Sequence, residues 1–304
     1  MINRPAPAVT ILLPTHNRAD VLGFAVQSVL AQTWTDFELL VAGDGCSDET
    51  AAVMRAFEDA RVSWHDLPKA PGVGYANRNI VLRQARGQLI AYLAHDDLWL
   101  HDHLERLVEL FRDETVEFVY SQPLDVSMAG DITPIVFNLH DRGTAALWRA
   151  NQQGYVSLSN VIHRQACFGR YGGWNEKLPR RGDRELWLKL IDGGRRQNFV
   201  YLPVPTSLHF VANWRRASTE TWRRKLWRRV RIWEGSALPE LKVVLRAGQT
   251  EQEAAWRAMS QAPEAWARTV RRAAQVDVDR RSGYAFRPSD VLEFAFRSFR
   301  RWSG

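Results

Sequence analysis

The chain has 304 residues, 45% hydrophobic and 25% charged, the balance of a globular protein that buries a sizeable core. No run approaches the ~18 uninterrupted apolar residues of a membrane-spanning helix. Met1–Pro5 lacks the apolar core of a secretory signal, and two cysteines in so long a chain, Cys46 and Cys167, fit a reducing cytoplasm. The net charge of +7 is uneven: residues 215–304 hold 20 Lys and Arg against 10 Asp and Glu, whereas residues 1–214 hold 21 against 24.

Val9–Pro14 (VTILLP) is a short apolar run that reads as a buried strand. Asn17 can cap the next segment, where Leu22, Ala25, Val26 and Val29 recur at helical spacing. Phe37–Val41 is a second strand, broken by Gly43-Asp44-Gly45, and Ser47-Asp48-Glu49 opens a second helix. Val62–His65 is a weaker third strand. Ala76–Ala85 reads as a helix that Gly87 stops, and Leu89–Ala94 is a fourth strand running into His95-Asp96-Asp97. Phe118–Tyr120 is a further strand, and residues 121–180 read as loops with short elements. Glu185–Ile191 looks helical, Phe199–Val204 and Ser207–Val211 look like strands, and from Ser218 onward the chain reads as helical and basic.

Strands alternating with helices predict right-handed βαβ units and an α/β fold with a mostly parallel sheet. Such sheets bind ligands at the carboxyl ends of their strands. Asp44 and Asp96-Asp97 both fall at such ends, which places them in one candidate site. The absence of a glycine-rich turn after the first strand argues against a nicotinamide dehydrogenase and against a sugar nucleotidyltransferase.

Five segments are similar to the motifs of family 2 glycosyltransferases: Pro14-Thr15-His16-Asn17-Arg18, Asp44-Gly45-Cys46-Ser47-Asp48, Asn77-Arg78-Asn79 with Ala85-Arg86-Gly87, Tyr92-Leu93-Ala94-His95-Asp96-Asp97, and Gly182-Asp183-Arg184-Glu185-Leu186-Trp187. They stand in the family's order between residue 9 and about 211. The resemblance implies a GT-A fold and an inverting transfer from a nucleotide-sugar donor, most simply a UDP-sugar, to a saccharide or lipid-linked acceptor, with Mn²⁺ or Mg²⁺. Carried over by position, Asp44 would accept from the N3–H of uracil, and Arg78 would reach the base or the diphosphate. Asp96 would bind the ribose or donor sugar, Asp97 would ligate the metal, and Thr15 and Arg18 would line the nucleotide pocket.

Asp183 would be the base that deprotonates the acceptor hydroxyl, and the arginines around it favour its ionised form. It could also be the N-cap of the helix at Glu185–Ile191, a role that is compatible with that of the base. His209 is a candidate further metal ligand or a structural histidine. Trp174, in a Gly-Gly-aromatic turn, would either stack on an acceptor sugar or belong to the core. Two departures stand out. Gly43 replaces the first acid of the family's Asp-Asp-Gly, and Gly182 replaces the more frequent Glu before the base.

The expected organisation is a catalytic domain over 1–214, with a nucleotide half to about 115 and an acceptor half after it, followed by a helical basic extension over 215–304. Trp222, Leu226, Val230 and Trp233 form one helical face among arginines, and Val291–Trp302 has similar character. Such helices either meet an anionic membrane surface or pack on the catalytic domain. The membrane option would put the protein at the inner face of a membrane. The competing reading is a non-catalytic basic protein that binds nucleic acid or membrane. Nucleic acid is disfavoured because the main fold is slightly acidic.

Overall fold

The computed structural model describes residues 5–151, 156–194, 198–210 and 238–283. Its strands are β1 (Val9–Thr15), β2 (Phe37–Asp44), β3 (Val62–Leu67), β4 (Leu89–Tyr92), β5 (Leu98–Trp99), β6 (Phe118–Val126), β7 (Ile132–Pro134), β8 (Val161–Arg164) and β9 (Phe199–Phe210). The helices are α1 (Leu22–Leu30), α2 (Thr50–Arg55), α3 (Tyr75–Leu82), α4 (His103–Val108), α5 (Arg142–Arg149), α6 (Ala166–Tyr171), α7 (Gly182–Gly193), α8 (Glu251–Gln261) and α9 (Pro263–Gly283).

The strands form one sheet in the order β3-β2-β1-β4-β8-β6-β9-β5, with β7 on β6. The first four are parallel, as expected from their βα alternation. The second half is mixed: β8 runs antiparallel to both β4 and β6, β9 is parallel to β6, and β5 is antiparallel to β9. The continuous apolar character of β1 and β2 follows from burial on both faces. Leu12 and Leu40 point into a core with α3 and α7, while Ile11, Leu13, Leu39 and Val41 point into a second core with α1 and α4.

Two expectations change. Residues 121–126 continue β6 rather than forming a loop, and their polar residues are paired inside the sheet. Ser121 meets Thr206 and accepts from Asn160, and Ser207 donates to Asn160. Polar side chains that satisfy one another at depth hide a strand from hydropathy. Likewise the two strands expected at Phe199–Val204 and Ser207–Val211 are one continuous β9, with register shifts opposite Ser121–Pro123 that accommodate Pro203 and Pro205.

A third core joins β5, β6, β7 and β9 to α8 and α9 through Leu98, Leu124, Leu208, Ala255 and Val270. Arg271 forks onto Asp102 with bonds of 2.7 and 2.5 Å and also donates to the Pro205 carbonyl at 2.8 Å. Residues 238–283 thus pack on the sheet edge. The basic faces expected at Trp222–Trp233 and Val291–Trp302 lie outside the described residues. Among the described residues no helix is long and apolar enough to cross a membrane.

Candidate active site

The carboxyl ends of β1, β2 and β4 meet as the parallel register requires, with Thr15 beside Gly43. The loops after β1 and β2 clasp each other. Asn17, held at a left-handed φ of 50°, accepts from the Ser47 amide at 2.8 Å. Asp48 accepts from the Ala19 amide at 3.1 Å, and His16 Nδ1 lies 2.7 Å from the Asp44 carbonyl. Thr15 is buried with its hydroxyl 3.2 Å from His95 Nδ1. Arg18 spans Asp20 and Asp96, reaching Asp96 at 3.4 Å.

Asp44 is buried and well supplied with donors. Its Oδ1 accepts from the Ala70 amide and from Asn77 Nδ2, each at 2.8 Å, and its Oδ2 pairs with Lys69 Nζ at 2.5 Å. These three donors leave a carboxylate one lone-pair direction of its four. Lys69 also donates to the Ala70 and Gly72 carbonyls, which folds the 69–72 loop against Asp44.

Arg78, on α3, lies with its guanidinium carbon 4.6 Å from the Trp174 ring centre and 5.0 Å from that of Tyr75. Burial works against its charge, while the nearby Tyr75, Asp183 and Asp44 favour it. Arg78 therefore stands within electrostatic reach of both carboxylates that the sequence singles out. Asp183 is the second residue of α7, half-buried, and no hydrogen bond reaches its side chain among the described residues. The helix N-cap is Arg181, so capping is not the role of Asp183. Asp44, Arg78 and Asp183 form one group, and Thr15, Arg18, His95 and Asp96 form its neighbour.

Three further candidates are enclosed by their neighbours. Asp97 is 1% exposed, with Oδ2 bonded by Ser159 at 2.5 Å and Oδ1 by the Phe210 amide at 3.1 Å. It ties the β4 end to β9, and two of the four acceptor directions of its carboxylate remain. Burial raises its pKa to about 6, against the opposing pull of His209. His209 lies on β9 beside Asp125. Its Nδ1 is 3.1 Å from Asp125, and although burial disfavours its charge, Asp97 and Asp125 hold its pKa up to about 9. Trp174 is 3% exposed, stacked on Tyr75 at 5.3 Å and edge-on to Tyr92 and Trp187, so its ring belongs to the core and not to an acceptor.

Among the described residues no cluster of three His, Cys, Asp or Glu side chains could hold a metal by itself. What fits is a hard cation shared between one carboxylate, water and the phosphates of a substrate. Asp96, its side chain 13% exposed, is paired with Arg18 at 3.4 Å at this end of the sheet.

Sequence reasoning missed Lys69, Asn77, Tyr75, Ser159 and Asp125. Asn77 stood inside a quoted motif, and Tyr75 opens the same helix. Ser159 and Asp125 carry no local signal.

The two glycine departures have a common cause. A Cβ at Gly43 would run into the Trp64 indole, and one at Gly182 would lie 2.5 Å from the Tyr75 ring. In both places an aromatic ring fills the room that a side chain would need.

Residues 10–168 match the family model described as glycosyl transferase family 2. The chain is 34% identical over 112 residues to the UDP-Glc:alpha-D-GlcNAc-diphosphoundecaprenol beta-1,3-glucosyltransferase WfgD of Escherichia coli, a match covering 37% of this chain and 44% of that protein. It is 30% identical over 190 residues to the putative teichuronic acid biosynthesis glycosyltransferase TuaG of Bacillus subtilis, covering 62% of this chain and 73% of that one. So the chain spans less than half of one such relative and about three quarters of the other. Its fold is similar to that of S. aureus TarS 1–349 in complex with UDP-GlcNAc, with a TM-score of 0.56 at 16% identity over 76% of this chain and 68% of that one. It is also similar to mannosyltransferase PcManGT from Pyrobaculum calidifontis in complex with GDP-Man and Mn²⁺, with a TM-score of 0.54 at 19% identity over 97% and 81%. With the motifs in order, their carboxylates at the strand ends and the fold shared, the chain belongs to glycosyl transferase family 2.

Proposed function

We propose that this protein transfers a sugar, with inversion, from a nucleotide-sugar donor to a hydroxyl of a saccharide acceptor, and that Asp183 is the general base. The observation that carries the reading is the position of Asp183. It is a carboxylate without a hydrogen-bond donor among the described residues, at the mouth of α7, facing the Arg78 cation that borders Asp44. A base must have a free lone pair within reach of the proton it removes.

In this reading Asp44 uses its remaining acceptor direction on the nucleobase, and the donor is a UDP-sugar. Arg78 lies beside the diphosphate as a fixed charge, and Thr15 and Arg18 line the nucleotide. Asp96 would hold Mn²⁺ or Mg²⁺ together with the donor phosphates, where the cation neutralises charge on the leaving diphosphate. The relative named for a diphosphoundecaprenol-linked acceptor supports a lipid-linked saccharide acceptor and, with it, a reaction at the inner membrane surface. The basic segments after residue 214 supply an attraction to such a surface.

The test is calorimetric titration with UDP-, GDP- and TDP-sugars, with and without Mn²⁺, alongside transfer assays. The expected result is UDP-sugar binding strengthened by Mn²⁺. Tight RNA binding with no nucleotide-sugar affinity would replace this reading with that of a basic binding protein.

A further inference from the structure

Tyr75, Arg78 and Asn79 share one face of α3 at spacings of three and four. That face grips a segment about a hundred residues later in the chain. Asn79 accepts from the Trp174 amide at 3.0 Å and donates at 2.8 Å both to the Trp174 carbonyl and to Glu176. The Tyr75 ring stacks on Trp174 with an interplanar angle of 11°, and its hydroxyl accepts from the Gly182 amide at 2.6 Å.

The Gly182 amide is one of the first-turn N–H groups of α7 that the helix itself leaves without a partner. Arg181, the N-cap, provides no side-chain bond and sits at a left-handed φ of 63°. Such a backbone is held only when its surroundings over-determine it. Tyr75 therefore caps α7 from a different helix. Gly182 admits the ring that a Cβ would strike. The next residue is Asp183, so the bond that locates Gly182 also locates the carboxylate relative to Arg78.

We infer that Tyr75 is a positioning residue for the base: its hydroxyl caps α7 across the fold and sets where Asp183 stands. The inference rests on the reading of Asp183 as the base. It places the effect on chemistry rather than on donor affinity, because displaced reacting groups cost rate while the nucleotide contacts stay intact.

The experiment is Tyr75→Phe, which keeps the ring stack and removes only the hydroxyl. Expected is a fall in kcat of roughly 10- to 100-fold, with UDP affinity and donor KM unchanged. Added to Asp183→Asn, the substitution should slow transfer no further, as for two residues acting in one unit. Gly182→Ala, which displaces the ring instead, should also lower kcat and guards against a folding failure of Tyr75→Phe; its donor KM is not part of the test, because Arg78 packs on the same ring. Unchanged kcat in both variants, a loss that multiplies with that of Asp183→Asn, or a raised donor KM at unchanged kcat in Tyr75→Phe would each overturn the inference. If Asp183→Asn itself retains transfer, the base reading fails and the inference falls with it. If Asp183→Asn loses transfer while both other variants keep it, only the role of Tyr75 is wrong.

Discussion

Asp96 and Asp97 are consecutive in sequence and face opposite environments: Asp97 is locked between Ser159 and the Phe210 amide, while Asp96 meets Arg18 at 3.4 Å at the site. Asp97→Asn therefore is expected to destabilise the fold by about 1–3 kcal/mol, since it puts an amide N–H₂ where two donors already point. Asp96→Asn should leave the melting temperature close to that of the wild type and abolish the strengthening of UDP binding by Mn²⁺. Thermal melts and calorimetry of the two variants check this, and the reverse pattern would return the metal to Asp97.

Asp183→Asn removes the lone pair that a base needs and leaves the nucleotide side untouched. UDP binding should persist while kcat falls by ~10²–10⁴-fold, the range general-base catalysis supplies. Steady-state kinetics with a UDP-sugar and product analysis measure it. A variant with full turnover would move the base elsewhere.

Gly43→Asp restores the acid that the family has at this position, and the Trp64 ring stands in its way. Overpacking should cost about 1–3 kcal/mol. In a Trp64→Ala background the same substitution should cost markedly less, because the obstacle is gone. Denaturant titration of the double-mutant cycle decides it, and additive losses would mean that Trp64 is not the cause.

Asp102 ties α9 to the fold through Arg271. Burial opposes its charge, but Arg271 and Arg106 outweigh burial and lower its pKa to about 2. A carboxylate with a depressed folded pKa contributes stability above its unfolded pKa near 3.8 and loses it as pH falls through the folded value. The pair is thus worth about 2 kcal/mol at neutral pH. The stability gap between the wild type and Asp102→Asn should be widest above pH 5 and close between pH 4 and 2. Urea titrations across that range test the sign.

Much of the fold was legible because its signal is local. The apolar runs at Val9–Pro14, Phe37–Val41 and Leu89–Ala94 are strands in register, and the acids after the second and fourth lie at strand ends as the topology rule requires. In the second half of the sheet Phe118–Tyr120 and most of β9 were legible, but β5, β7, β8 and the rest of β6 were not. Ser121, Asn160 and Thr206 look like loop residues until they are seen to bond one another and Ser207 at depth. Lys69 and Asn77 gave no hint that they converge on Asp44, because side-chain convergence has no period in sequence.

By itself the sequence determined the α/β class, the family, and which carboxylates belong to one end of the sheet, since hydrophobic period and chain order are enough for that. Only the tertiary structure decided what each carboxylate is bonded to. The partners that enclose Asp97 lie 62 and 113 residues away, and the hydroxyl that caps α7 lies 107 residues from the amide it meets. It also explained the glycines at 43 and 182, because an aromatic ring from another element occupies the space beside each. Burial and pairing are set by whichever segment packs alongside, and a motif carries no record of that neighbour.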